Sequence, residues 1–280
     1  MASAKAIKKR RKATQNIHKI TRTMELVATS RLRLAVQKLA NVRPYREKID
    51  RMSERLCAGR IMHPLMKKPS PSWTLLLGIA SNRGLCGSYN SQLIHRILHL
   101  AKEMEKEGKN VQIYLSGRKA IHYFKFHGIK VEESYPLISD IPSLEEIAPI
   151  ADHLADLFKN KGCGEVRLVY SKKSKVVEEI FLPISWKSLQ DDSQLPWCLP
   201  SAEKVLEKIV PSFVRSRLWE CFLEAAVSEQ SARMVAMKTA TENAEDMIKK
   251  LTRQYNRARQ TQITQEILEI LSGAQAGEKE

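Results

Sequence analysis

Between Pro211 and Gly273 the chain runs 61 residues, Ser212–Ser272, without a proline or a glycine. As a helix at 1.5 Å per residue that segment spans roughly 90 Å. A domain of about 120 residues has a radius of gyration near ~14 Å, so such a helix overhangs any domain it leaves. Leu218, Cys221, Ala225, Ala240, Ala244, Met247, Leu251 and Ala258 mark an apolar stripe of mostly small residues along it. An overhanging helix with a stripe needs a partner to be stable in water. The other end of the chain supplies one. From Ala2 to Ala58 there is no glycine and one proline, Pro44, which is expected to kink or end the regular part. Ile17, Ile20, Met24 and Val27 step by 3, 4 and 3, a heptad seam, and Met24, Ala28, Leu32, Ala35, Leu39 and Val42 continue it through a stutter. The economical solution is an antiparallel coiled coil of the two terminal segments, residues 1–58 and 201–275.

Proline-bearing linkers, Gly59–Ser72 and Asp191–Pro200, set off a middle domain, residues 73–190. Its apolar runs alternate with helical stretches. Strands are expected at Trp73–Ala80, Val111–Leu115, Ile129–Glu132, Glu165–Tyr170 and Val176–Ile184, and helices at Tyr89–Lys106, Arg118–His127 and Ser143–Asn160. Such alternation implies a Rossmann-like, mostly parallel sheet ending in an antiparallel hairpin. The fold class is therefore α/β, a long coiled coil plus a central Rossmann-like domain.

Charge is concentrated. Residues 1–60 hold 17 Lys/Arg against 4 Asp/Glu, a net +13 of the chain's +16. That segment calls for an acidic partner. Single-strand nucleic-acid binders couple basic residues to stacking aromatics, and this segment has one aromatic, Tyr45. A membrane-surface helix needs a bulkier apolar face. Docking on acidic protein surfaces fits best. No run approaches the ~18 apolar residues of a membrane span, and the basic start is followed by neither a signal-peptide apolar run nor a transit-type segment. The five cysteines form no C-x-x-C pair, as in a reducing compartment.

No catalytic constellation stands out. Ser81–Asn90 (SNRGLCGSYN) sits where α/β folds bind phosphate, but its glycines are a G-x-x-G, Gly84 and Gly87, and a tight strand-to-helix turn is the preferred reading. His95 and His99 are spaced i,i+4 without a third ligand. Cys86 lies beside Arg83 with no histidine near in sequence. No cofactor and no metal are expected.

Four stretches carry a resemblance. IKKRRKATQNIHKITRTMELVATSRLRLA, SNRGLCGSYN and the C-terminal VSEQSARMVAMKTATENA with LTRQYNRARQTQITQEILEILSGA resemble the signatures of the gamma subunit of rotary (F-type) ATP synthases, in the same order from Ala4 to Gly273. The resemblance implies a non-catalytic shaft inside a ring of alpha and beta subunits. It further implies a foot held by the epsilon subunit and the c-subunit ring, and a place on the cytoplasmic face of the bacterial plasma (inner) membrane. Proton-driven rotation would then change the affinity of each beta catalytic site in turn, with no nucleic acid involved. By the same resemblance Arg259, Gln260 and Thr264 face a catch loop on beta, and Lys19, Arg22 and Met24 lie on the helix opposite. Arg83 and Cys86 sit in the turn facing beta's acidic lever, and Ile267, Leu268, Ile270 and Leu271 form a bearing tip. The chain departs from the family pattern at Asn82 (usually Asp), Ser88 (often Gly), Thr23 and Thr239. Cys198 stands alone, so the chloroplast-type regulatory dithiol is not expected.

Overall fold

The structure is a computed structural model that describes residues 4–58, 63–67, 73–186, 198–199 and 201–277. The two expected linkers and the last residues of the tail lie largely outside them. Two terminal helices, α1 (Ala4–Ala58) and α5 (Ala202–Gly277), enclose in sequence a five-stranded sheet: β1 (Trp73–Ile79), β2 (Val111–Ser116), β3 (Glu133–Tyr135), β4 (Cys163–Lys172) and β5 (Lys175–Leu182). Between the strands lie α2 (Tyr89–Lys106), α3 (Arg118–Phe126) and α4 (Leu144–Asn160). The chain forms two compact units: residues 1–27 with 234–280, and residues 28–233.

In the larger unit the sheet order is β3-β2-β1-β4-β5, parallel except for the β4–β5 hairpin. Side chains alternate across a strand, so β1 feeds two cores. Leu75, Leu77 and Ile79 face α4, the end of α1 and the start of α5, while Leu76 faces α2 and α3. Both faces of β1 are buried, which is why it reads as one continuous apolar run. Helix α4 starts where Ser143 and Glu146 close a capping box. At the β2–α3 corner Gly117 has φ +95°, and a Cβ there would stand 2.2 Å from the Ala80 carbonyl oxygen. The weak strand expected at Ile129–Glu132 forms instead at Glu133–Tyr135, pairing with β2. Ile129 and Val131 pack against the α2/α3 core, so their apolar character reflects packing rather than strand pairing. Pro44 does not end its helix: α1 continues to Ala58, with Pro44 on the solvent side, where water can satisfy the carbonyl it leaves unpaired.

The seam of α1 is not the one its largest apolar residues suggest. Thr14, Thr21, Ala28, Ala35, Val42, Ile49 and Leu56 recur every seven residues and are all buried, with Leu39 and Ser53 at the intermediate position. Ile17, Ile20 and Val27 are 53%, 54% and 49% exposed, whereas Thr14 and Thr21 are 6% and 9%. The seam therefore keeps an unbroken 3-4 step and needs no stutter. In the smaller unit the α5 side of the pair is Met237, Thr241, Ala244 and Leu251, all buried, whereas Met247 is exposed. The Thr241 hydroxyl donates to that of Thr21 at 2.9 Å, and Arg11 lies over the Tyr255 ring at 5.0 Å. With residue numbers rising on one helix as they fall on the other, the pair is antiparallel. Small and hydroxyl-bearing residues let the two backbones approach closely.

Candidate partner-contact surfaces

The smaller unit presents two kinds of surface. On α1 the residues turned away from the seam combine charge with apolar area. Lys5, Lys8, Lys9, Arg10 and Lys12 are exposed. Further along, Ile17, Ile20, Met24 and Val27 form an exposed strip beside exposed Lys19 and Arg22. Arg22 reaches both carboxylate oxygens of Glu25, at 3.1 and 3.0 Å. On α5, Arg259 and Gln260 are exposed. Thr264 is exposed as well, but its hydroxyl donates to the Gln260 carbonyl at 3.0 Å, so it presents mainly its methyl. Ile263, Ile267 and Ile270 fall at i, i+4 and i+7, one exposed apolar line near the helix end, with Leu268 beside it. Leu271 is helical, and its side chain lies outside the described residues.

In the larger unit the Ser81–Ser88 turn is tied down from within. Leu85 and Gly87 take left-handed φ values of 63° and 59°. The Ser81 hydroxyl donates to the Arg83 carbonyl at 2.7 Å, and the Asn90 side chain accepts from the Ser81 amide at 3.2 Å. Asn82 uses both ends of its amide: Nδ2 donates to the Ile138 carbonyl at 2.7 Å, and Oδ1 accepts from the Arg118 amide at 3.3 Å. A carboxylate at position 82 has no hydrogen to offer Ile138. From α5, Arg233 donates to the carbonyls of Gly84 and Arg83 at 3.3 and 3.2 Å. The turn's polar groups are thus spent on the fold, as the tight-turn reading expects.

The two residues singled out in this turn part company. Arg83 keeps a 65% exposed side chain and only a loose pairing, 3.6 Å to Asp140. Cys86 is buried, its thiol pKa pushed up by burial, and the Asn90 amide donates to its sulfur at 3.2 Å. Arg83 presents charge; Cys86 supports the turn. Around Arg83 opens a groove of about 590 Å³ lined in part by Arg31, Leu34, Arg118 and Leu137. Asp140 is its acidic member, held by Arg31 at 2.5 Å. The groove therefore joins positive charge to exposed leucines. Arg31, Arg118 and Leu137 come from three distant points of the chain, and no local motif in the sequence signals their meeting.

Deeper in, Glu229 is buried with Arg233 at 2.7 Å. Burial outweighs that attraction and raises its pKa to about 7. A cavity of about 20 Å³ beside it, lined in part by Tyr89 and Asn82, has room for about one water. His95 is exposed and His99 pairs with Glu103 at 2.9 Å. Among the described residues no group of three metal-ligating side chains occurs, and no helix is long and apolar enough to cross a membrane.

Two terminal helices enclosing a mixed sheet is the fold of solved ATP synthase rotors. The chain superposes on the rotor of the Euglena gracilis mitochondrial ATP synthase in rotational state 1 with a TM-score of 0.64, at 18% identity, covering 93% of this chain and 98% of that one. It superposes on the central stalk/c-ring structure of the Tetrahymena thermophila mitochondrial enzyme with a TM-score of 0.57, at 21% identity, covering 79% and 99%. The ATP synthase family model matches residues 3–276. Curated relatives named ATP synthase gamma chain include that of Rhodopirellula baltica, 42% identical over 294 residues, and that of Mycobacterium tuberculosis, 35% identical over 298. They cover 99% and 98% of this chain, and 99% and 98% of their own lengths. The chain belongs to the ATP synthase gamma chain family.

Proposed function

We propose that this chain is the central rotor shaft of a proton-translocating ATP synthase, turning inside a hexamer of alpha and beta subunits. Its foot is carried by the c-subunit ring and the epsilon subunit, on the cytoplasmic face of a bacterial plasma membrane. It is a non-catalytic subunit. Rotation presents different faces of the shaft to three catalytic sites and thereby holds them in different affinity states, a coupling free energy between distant sites. The observation that carries this reading is the inverted surface of the first half of α1: Thr14, Thr21, Ala28 and Ala35 fill the seam, while Ile17, Ile20 and Val27 face outward. Apolar side chains are left in water at that density where a partner covers them.

The residue assignments follow. Lys19, Arg22 and Met24 on α1, with Arg259, Gln260 and Thr264 on α5, engage the beta catch loop. Arg83 meets beta's acidic lever, with Cys86 holding its turn in shape. Ile267, Leu268, Ile270 and Leu271 run in an apolar bearing. Exposed ion pairs are worth about 0–1 kcal/mol each, which suits contacts that must release and re-form on every step. The test is affinity capture of the tagged chain from its own cells, with ATPase assay of the eluate. Recovery of alpha, beta and epsilon subunits with magnesium-dependent ATPase supports the reading; recovery of the chain with nucleic acid and no ATPase overturns it.

A further inference from the structure

On the first helical turns after the middle of the larger unit's α5 segment, Glu220 and Glu224 stand one turn apart, each side chain 4% exposed. They collect cations from three elements. From α1, Arg46 Nε lies 2.7 Å from Glu220, a charge contact rather than an aligned hydrogen bond, and Arg43 lies 4.0 Å from Glu220 and 3.7 Å from Glu224. From β4, Lys172 reaches Glu224 at 3.0 Å. From α5 itself, Arg217 donates to Glu220 at 2.8 Å and also grips Glu179 on β5. The Tyr170 hydroxyl, on β4, lies 3.1 Å from an oxygen of both Glu179 and Glu224 and donates to one at a time. Both terminal helices and the hairpin edge of the sheet therefore meet on two neighbouring carboxylates.

Stability alone does not call for this arrangement. Charges taken out of water lose hydration that their pairing only partly restores, and well-packed apolar residues of equal volume often serve as well or better. Apolar contacts, however, are non-directional, and a helix held by them alone can twist in its socket. Charge-assisted hydrogen bonds fix distance and angle. Along the seam of the smaller unit the contacts are of another kind: Thr241 on Thr21, Arg11 over Tyr255, and buried Ala244 and Leu251.

We propose that Glu220 and Glu224, with Arg43, Arg46, Lys172 and Arg217 around them, form a torque clamp that passes turning force from the sheet to the two helices. The clamp rests on the rotor-shaft reading. These six are positioning residues: they touch no nucleotide and act by making the foot turn as one body with the helices that leave it.

The test uses the complete ATPase complex from the chain's own organism, with a gold rod fixed through Lys106→Cys to the end of α2, the helix packed on the sheet. In the stalled complex the angular variance of the rod reports the torsional stiffness between sheet and shaft. Replacing Arg43, Arg46, Glu220 and Glu224 together by methionine keeps volume and removes direction. Both carboxylates of the clamp and two of its four cations are lost, so the variance should rise about twofold, with the melting midpoint unchanged or raised and ATP-driven stepping retained. Unchanged variance in this folded variant overturns the clamp. Should the quadruple variant fail to assemble, Glu224→Gln decides: it removes the charge that holds Lys172 and Arg43, and unchanged variance there overturns the clamp equally. A wild-type complex whose rod never turns under ATP overturns the rotor reading itself, a result separate from either.

Discussion

Glu229 offers a test of the larger unit's interior through pH. Its side chain is buried on α5 beside Arg233, with Asp140, Arg31, Tyr89 and Cys86 the other titratable or charged groups facing it. Desolvation lifts its pKa from an ordinary 4.5 to about 7. The folded state therefore holds a proton that the unfolded chain has released across that window. Because the native state binds more protons there, stability falls as pH rises. The contribution is complete below about 4.5, declines toward 7 and is level above it. At 1.36 kcal/mol per pKa unit the full span is about 3 kcal/mol. Glu229→Gln keeps an acceptor for Arg233 and removes the titration. Urea unfolding of both proteins from pH 4 to pH 8 gives the difference curve, in which other groups cancel. The stability of wild type minus variant should drop by about 3 kcal/mol between the ends of the range. A flat difference, or one that rises with pH, would show that Glu229 is ionised in the fold and that Arg233 outweighs burial.

Other substitutions probe separate steps. Gly117→Ala places a methyl 2.2 Å from the Ala80 carbonyl at φ +95° and should cost about 3 kcal/mol or more, read as a lowered urea midpoint; a loss under about 1 kcal/mol would mean the corner relaxes freely. Leu154→Ala, at a fully buried position of α4, should cost about 2–5 kcal/mol by the same assay. Asn82→Asp turns a carboxylate toward the Ile138 carbonyl and Asp140, and should destabilise by about 1–3 kcal/mol at neutral pH, with part of the loss recovered in acid as the new group protonates. Arg259→Ala with Gln260→Ala should leave the melting curve intact while lowering the proton pumping obtained per ATP hydrolysed in membrane vesicles; full pumping yield would remove those two residues from the catch-loop assignment.

Much of the fold was legible from residue pattern alone. The long breaker-free segments, the strand–helix alternation and the antiparallel final hairpin all follow from period and punctuation, and α2 begins and ends where its pattern does. Two readings failed for physical reasons. Ile129 and Val131 look like a strand because they are apolar, yet they serve the α2/α3 core, and the short β3 that follows is specified by its neighbour β2 rather than by its own residues. The α1 seam failed in a more instructive way. Hydrophobic periodicity locates a buried face only when all partners of that face are in the chain. In the first half of α1 Ile17, Ile20 and Val27 point outward while Thr14, Thr21, Ala28 and Ala35 fill the seam, so there the largest side chains mark the surface rather than the core. Local rules break most often where function demands it. The Arg83 groove and the Glu220–Glu224 cluster were invisible for a simpler reason: their members come together only through tertiary folding.

The most direct measurement is rotation itself. In an ATPase complex immobilised through its beta subunits, a fluorescent probe at Lys106→Cys should turn continuously in one direction on adding magnesium and ATP, pausing at three equivalent orientations. A complex that hydrolyses ATP while the probe stays fixed, or wanders without direction, would contradict the rotor-shaft function.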